Sequence, residues 1–313
     1  MKVTRWLGDA PISKPGIYSN IPIDTYHEQL TTAPSVSKSG LWTVFDESCE
    51  DFYSTSYLNP APLEDPETAN FILGRAAHHL FLGEADFAKH FVLRPEELNA
   101  KAWNSNRTDC KEWLAAAKAE RLTVLTPGQV ETIKGMSAGL ARNPLVRAGI
   151  LNGLIEHSMI FIDEPTGLYV KVRPDAIPTD DLDFSDLKTA FDVRDEAIEK
   201  AIGDLGYNMQ GALVGMACRA ILGREMTSFS LVLAKKSPPY SSRVKTLKPA
   251  DLELGERQAR VALDMVKRCI DRGEWPGPGG TQTDAEYVEI TPWRRTRIED
   301  RIAKMQLEME IEI

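Results

Sequence analysis

The chain predicts an α/β fold in which a central mixed sheet is flanked by helices, and three observations predict it. Short apolar or alternating runs at 168–173, 182–189 and 229–233 have the length and composition of strands. Segments of helical period closed by glycine surround them: 70–82 before Gly83, 205–222 before Gly223 and 251–272 before Gly273. The 313 residues, 42% of them hydrophobic, are enough to bury a substantial core, as one elaborated domain or as two.

Residues 1–15 read as an N-terminal leader. Met1-Lys2-Val3-Thr4-Arg5 is followed by nothing like the apolar core of a signal peptide, and no apolar run approaches eighteen residues, so a soluble, intracellular protein is expected. Ser35, Ser37, Lys38 and Ser39 precede the apolar run 41–45, where serines are natural helix caps. A hydroxyl-rich helix start with one lysine also suits a DNA phosphate, since free N–H groups and the helix dipole both favour an anion. In 70–82 two adjacent histidines, His78 and His79, lie about 100° apart around the helix. Thr126-Pro127-Gly128-Gln129 has the form of a capping box and starts a helix running toward Ala148.

The strand at 155–162 is opened by Glu156. Alternation in 168–173 fits a half-buried strand that delivers Asp175 at its end; 178–181 supplies turn chemistry, and 182–189 is a second strand with Asp186 and Lys188 on the same side. In the following helix Tyr207 and Gln210, three apart, face one way. After strand 229–233, the segment 234–248 contains Lys235, Lys236, Arg243, Lys245 and Lys248 and no acid. With Pro238-Pro239-Tyr240 at its tip it reads either as a hairpin that tracks a phosphate backbone or as a solubilising hairpin end. Residues 276–280 form a Pro/Gly-rich break and 291–313 a charged, partly amphipathic tail, so 277–313 read as break and tail beyond the main domain.

The chemistry concentrates in Pro174-Asp175 and, eleven residues on, Asp186-Leu187-Lys188. Two carboxylates converging from adjacent strands make an all-oxygen site suited to Mg²⁺ or Mn²⁺. A lysine beside them can orient or activate water and offset charge developing on an attacked phosphate. An Asp-x-Lys triplet alone is more often a solvated strand edge, so the weight falls on what accompanies it.

In order along the chain stand Ser35-Val36-Ser37-Lys38-Ser39, Leu73-Gly74-Arg75-Ala76-Ala77-His78, Arg173-Pro174-Asp175, Asp186-Leu187-Lys188-Thr189, Tyr207-Asn208-Met209-Gln210 and Glu274-Trp275-Pro276. This ordered set resembles the exonuclease VIII family, phage-type members of the PD-(D/E)xK nuclease superfamily related to RecB-like nuclease domains. The likeness covers residues 16–276 and implies a restriction-endonuclease-like core. It implies that His78, rather than His79, joins Asp175 and Asp186 at a metal, with the Leu187 carbonyl as a further ligand. Glu156 corresponds to an acidic residue of relatives and stands either as a ligand or as an ordinary strand-end carboxylate. Tyr207 and Gln210 correspond to a pair that braces the lysine or touches the DNA backbone. The resemblance further implies digestion of duplex DNA ends in the 5′→3′ direction to leave 3′ single strands for an annealing protein. It also implies a ring-shaped homo-oligomer, and a phage or prophage product acting in a bacterial cytoplasm.

A net charge of −9 sits awkwardly with DNA binding, which draws on Lys and Arg against phosphates; part of that acidity belongs to the metal site. Cys49, Cys110, Cys218 and Cys269 are scattered, so neither a zinc ribbon, a disulfide framework nor an iron–sulfur cluster is expected.

Overall fold

In the computed structural model a nearly unbroken apolar stretch, Ser228–Lys235, is a strand whose six inner residues are all buried, as burial on both faces requires. The structure describes residues 1–63, 68–84, 86–280 and 283–311. Among these, ten strands form two five-stranded mixed sheets. The first contains β1 (Val3–Arg5), β2 (Gly16–Ser19), β3 (Ser35–Ser37), β5 (Ser158–Ile162) and β6 (Tyr169–Val172), in the order β1-β2-β5-β6-β3. The second contains β4 (Leu154–Ile155), β7 (Ala176–Ile177), β8 (Asp183–Ala190), β9 (Ser228–Lys235) and β10 (Ser242–Thr246), in the order β10-β9-β8-β7-β4. β8 and β9 run parallel with Asp186 opposite Leu231 and Lys188 opposite Leu233, while β10 closes the edge antiparallel to β9.

The helices that matter for the site are α1 (Lys38–Asp46), α2 (Ala69–Phe81), α3 (Pro127–Ala141), α4 (Asp195–Asp204), α5 (Tyr207–Ala217) and α6 (Pro249–Arg272). Alternation along β9 divides the core. Leu231 and Leu233 join Met209 and Leu213 of α5 and Ala259 and Leu263 of α6 in one cluster. Val232 and Ala234, with Leu187, join Leu73 and Ala77 of α2 and Met136 and Leu140 of α3 in another. A third cluster, including Ile12, Tyr26 and Leu30, covers Ile160 and Tyr169 of the first sheet.

The α/β class with mixed strands and flanking helices is the one the sequence predicts, but the strands divide between two sheets instead of one. β6 and β8, read as consecutive, adjacent strands, lie in different sheets, and the short β7 after Asp175 is what pairs with β8. β6 is also not half-buried. All four of its residues are buried, Lys171 at 2% exposure, because the segment around Tyr26 folds over the face that alternation marks as polar. The first fifteen residues supply β1, paired parallel to β2. α3 begins with the expected capping box, Thr126 and Gln129 bonding reciprocally, and ends at Ala141; Pro144–Arg147 is a separate short helix.

The chain divides into two compact units, Met1–Pro278 and Gly279–Ile313. The second carries α7 (Pro292–Ile311), along which Trp293, Ile298, Ile302 and Met305 are exposed. No helix among the described residues is long and apolar enough to cross a membrane.

Candidate active site

β8 holds the centre of the site. Period-two geometry puts Asp186 and Lys188 on one face, and Lys188 Nζ lies 2.5 Å from Asp186 Oδ2. α5 covers that face. Its start is fixed by Gly206, which adopts φ +60° and lies so close under Trp42 that a Cβ would fall 2.1 Å from the ring; both demand glycine. From this turn Gln210 donates its amide to Asp186 Oδ1 at 2.7 Å, and the Tyr207 ring centre lies 4.9 Å from the Lys188 ammonium. The helical spacing of Tyr207 and Gln210 therefore brings one to the lysine and the other to its carboxylate.

Asp175 arrives from the junction between the two sheets. Its Oδ2 accepts the Leu187 N–H at 2.5 Å and its Oδ1 lies 3.4 Å from His78 Nδ1. α2 presents His78 because Thr68 caps its start, accepting from the Phe71 N–H, and because Thr189 of β8 lies in van der Waals reach of Gly74, one turn before His78. His79, one residue on, points elsewhere and pairs with Glu84 at 3.3 Å.

The electrostatics follow from crowding buried charges. Burial pushes Asp175 up, but His78, Lys188 and the Leu187 N–H outweigh it and hold the carboxyl below its usual range. Asp186 is pushed up, by burial first and then by the Asp175 charge. Burial would lower His78 and Lys188; the facing carboxylates win, and both are raised. Two carboxylates, an imidazole and an ammonium thus form one strongly interacting buried group.

Glu156 does not open a continuous strand. It occupies a left-handed turn, φ +53°, between β4 of one sheet and β5 of the other, and its N–H donates to the Asp175 carbonyl at 3.2 Å. Burial, then the charges of Asp175 and Glu84, push its carboxyl up to about 7. Glu84 is a neighbour that sequence reasoning missed: it follows the Gly83 chain reversal, which has no periodic signal.

The hydroxyl-rich segment separates. Ser35 is buried in β3, where its N–H donates to the Tyr57 hydroxyl at 2.7 Å, so it is withdrawn from the helix start. Ser37 is the N-cap residue of α1, but its side chain makes no cap bond and lies 3.1 Å from the Ser39 hydroxyl. Lys38 donates to the Leu205 carbonyl, beside Gly206, and burial together with the Lys188 charge lowers it to about 8. Its ammonium also lies 5.2 Å from the centre of the Trp42 ring, which packs on Gly206 at the start of α5.

The basic hairpin is largely engaged. Arg243 and Lys245 both pair with Asp195, at 2.9 and 2.6 Å, and Arg243 also donates to the Val193 carbonyl. The Tyr240 backbone packs on Gly139 of α3, where a Cβ would meet its carbonyl oxygen at 1.9 Å, and Arg142 donates to the Pro239 carbonyl. The tip is thus pinned on the protein. Lys236 reaches Asn70 of α2 at 3.2 Å, and Lys235, at the end of β9, is half-buried.

Among the described residues no three His, Cys, Asp or Glu side chains already stand as a finished metal cage. The donors nevertheless fit a hard divalent cation. Asp186 and Asp175 bring buried carboxylate oxygens to one place, Asp186 Oδ2 with only the Lys188 ammonium, 2.5 Å away, as its partner among the described residues, and such oxygens are hard donors.

The family model of a PDDEXK-like domain of unknown function (DUF3799) matches residues 44–288. Among solved structures, a provisionally named exonuclease from Eubacterium rectale aligns with a TM-score of 0.58 at 14% identity, covering 87% of this chain and 96% of that one, and so shares its fold. The alkaline exonuclease of Laribacter hongkongensis aligns at a TM-score of 0.24 and 14% identity, over 54% of this chain and 87% of its own. Its complex with dAMP aligns at 0.23 and 12%, over 63% and 91%. No curated protein matches the chain.

Proposed function

The chain belongs to the PDDEXK-like domain family, and on that ground we propose that it hydrolyses DNA phosphodiester bonds with a divalent cation, Mg²⁺ or Mn²⁺, acting on linear duplex ends. The observation that carries this reading is Asp186: buried beside Asp175, fixed by Gln210 at one oxygen and paired at the other with Lys188 at 2.5 Å.

Asp175 and Asp186 would hold the cation, with His78, Glu156 and the Leu187 carbonyl as further ligands. When bound, the cation supplies positive charge to the phosphate and lowers the pKa of a water. Lys188, kept protonated by Asp186 and Asp175, orients the attacking water and faces the negative charge that develops on the phosphate oxygens. Gln210 locks the Asp186 carboxylate, and the face of the Tyr207 ring holds the Lys188 ammonium. Ser37, Lys38 and Ser39, at the start of α1, and Lys235 and Lys236 are the nearer phosphate contacts; Arg243 and Lys245 contribute once released from Asp195.

The ordered motifs shared with the exonuclease VIII family support a narrower version. In it residues 16–276 carry an exonuclease that digests 5′→3′, leaves 3′ single strands for an annealing protein, and works as a ring-shaped oligomer in a bacterial cytoplasm. Linear duplex labelled at either its 5′ or its 3′ end, incubated with Mg²⁺ or EDTA beside a covalently closed circle, tests both levels. Metal-dependent loss of the 5′ label from linear DNA alone is expected. Cutting of the circle replaces the exonuclease with an endonuclease, and no cutting of either substrate overturns the hydrolase.

A further inference from the structure

One face of α2 runs along β8 from the site to its rim. Asn70, Gly74 and His78 recur every four residues and so form a single stripe. His78 lies at Asp175, and Gly74 sits against Thr189 of β8. At the far end Asn70 accepts from Lys236, whose ammonium lies 3.6 Å from the centre of the Phe191 ring. Thr189 and Phe191 are two apart, on the α2 side of the strand. Phe191 is 70% exposed, and Phe71, next to Asn70 in α2, is 57% exposed.

The ring has no partner in the core, and a cation–π contact of this kind is worth only about 0.5–1 kcal/mol at an exposed site. Packing within the fold therefore does not account for a phenylalanine held out at this place. Its position along the seam does bear on the substrate. Phe191, one residue past the end of β8, is three residues beyond Lys188, about 10 Å, and Asn70 is eight helical residues from His78, about 12 Å. For a strand whose bases keep the stacked spacing of about 3.4 Å per nucleotide, that is roughly three nucleotides from the reacting phosphate.

We propose that Phe191, with Lys236 across its ring, is a stacking platform for a base of the single-stranded end leaving or entering the site, about three nucleotides from the bond being cut. Every base offers a π-face, so such a platform is indifferent to sequence, and Lys236 puts a cation beside it that a backbone phosphate can meet. This inference rests on the nuclease reading, which supplies the strand.

Oligonucleotides carrying 2-aminopurine at successive positions from the end, mixed in EDTA with wild-type protein, Phe191→Ala and Phe191→Trp, test it. Stacking on Phe191 predicts quenching that is strongest about three nucleotides from the end. Phe191→Ala should remove it and weaken binding about 10-fold, the loss of one base–aromatic stack, while Phe191→Trp restores both. Quenching that is equal at all positions, or unchanged in Phe191→Ala, overturns the platform. The nuclease reading is judged separately on wild-type cleavage with Mg²⁺: cleavage that proceeds while the quenching pattern fails sinks the platform alone.

Discussion

Lys171 on β6 and Lys188 on β8 are both largely buried lysines on interior strands of five-stranded sheets, yet their surroundings push them in opposite directions. Burial, joined by the Arg173 charge, lowers Lys171 to about 8. It faces no carboxylate and gives its ammonium to the Tyr26 and Glu28 carbonyls, at 2.5 and 3.3 Å, and to the faces of Tyr26 and Tyr57. Lys188 is raised despite its burial, because Asp186 and Asp175 face it. Neutral acceptors make the first a brace that ties the 21–30 segment to its sheet. Paired anions keep the second charged, as the role proposed for it requires. The two lysines differ in whether anions face them, and that difference separates the candidate site from the brace.

The sharpest way to break this contrast is to remove the anion. Asp186→Ala should abolish Mg²⁺ binding seen by calorimetry and lower cleavage by at least about 10³-fold, the scale of losing a preorganised charge contact in the transition state, while circular dichroism stays native. Retained Mg²⁺ binding would detach Asp186 from the site. Lys171→Ala should do the reverse. It leaves a cavity and takes the ammonium from the Tyr26 carbonyl, while the Glu28 carbonyl keeps the Leu30 N–H, so it should destabilise the fold by about 2–5 kcal/mol in urea unfolding, with cleavage changed less than a few-fold below the transition.

The depressed Lys171 also gives a signed pH dependence. Between its folded value of about 8 and the ordinary 10.5, the unfolded chain holds the proton and the folded chain does not, so stability rises with pH across that window. Lys38, likewise lowered to about 8, acts with the same sign. Denaturant titrations from pH 7.5 to 10.5 should therefore show a shallower rise in Lys171→Met than in wild type; parallel curves would remove the argument from burial. The smallest effect belongs to an exposed lysine. Lys245, with 38% of its side chain exposed, pairs with Asp195, and Lys245→Ala should cost less than about 1 kcal/mol. A larger loss would mean the β10 edge depends on that pair.

What could be read from the sequence was whatever strict periodicity encodes. Asp186 and Lys188 share a face because strands alternate, and Tyr207 and Gln210 meet them because three residues are most of a helical turn. Contacts between distant segments escaped. The alternation in 168–173 marks Lys171 as exposed, and only the folding of residues 12–30 over it makes that wrong. Glu156 was read inside one strand because nothing local announces that a left-handed residue separates strands of two sheets. The basic run 234–248 carries no acid of its own, so its neutralisation by Asp195, some forty residues earlier, was invisible. Ser35 has the composition of a cap, and its pairing in β3 takes it away from that role.

The most direct measurement of the central claim compares single-turnover cleavage of end-labelled linear duplex by wild type, Lys188→Ala and Lys171→Ala, each shown folded, with and without Mg²⁺. Metal-dependent cleavage by wild type and Lys171→Ala, with none by Lys188→Ala, is the predicted result. Near-normal cleavage by Lys188→Ala would contradict the site assigned to Asp175, Asp186 and Lys188.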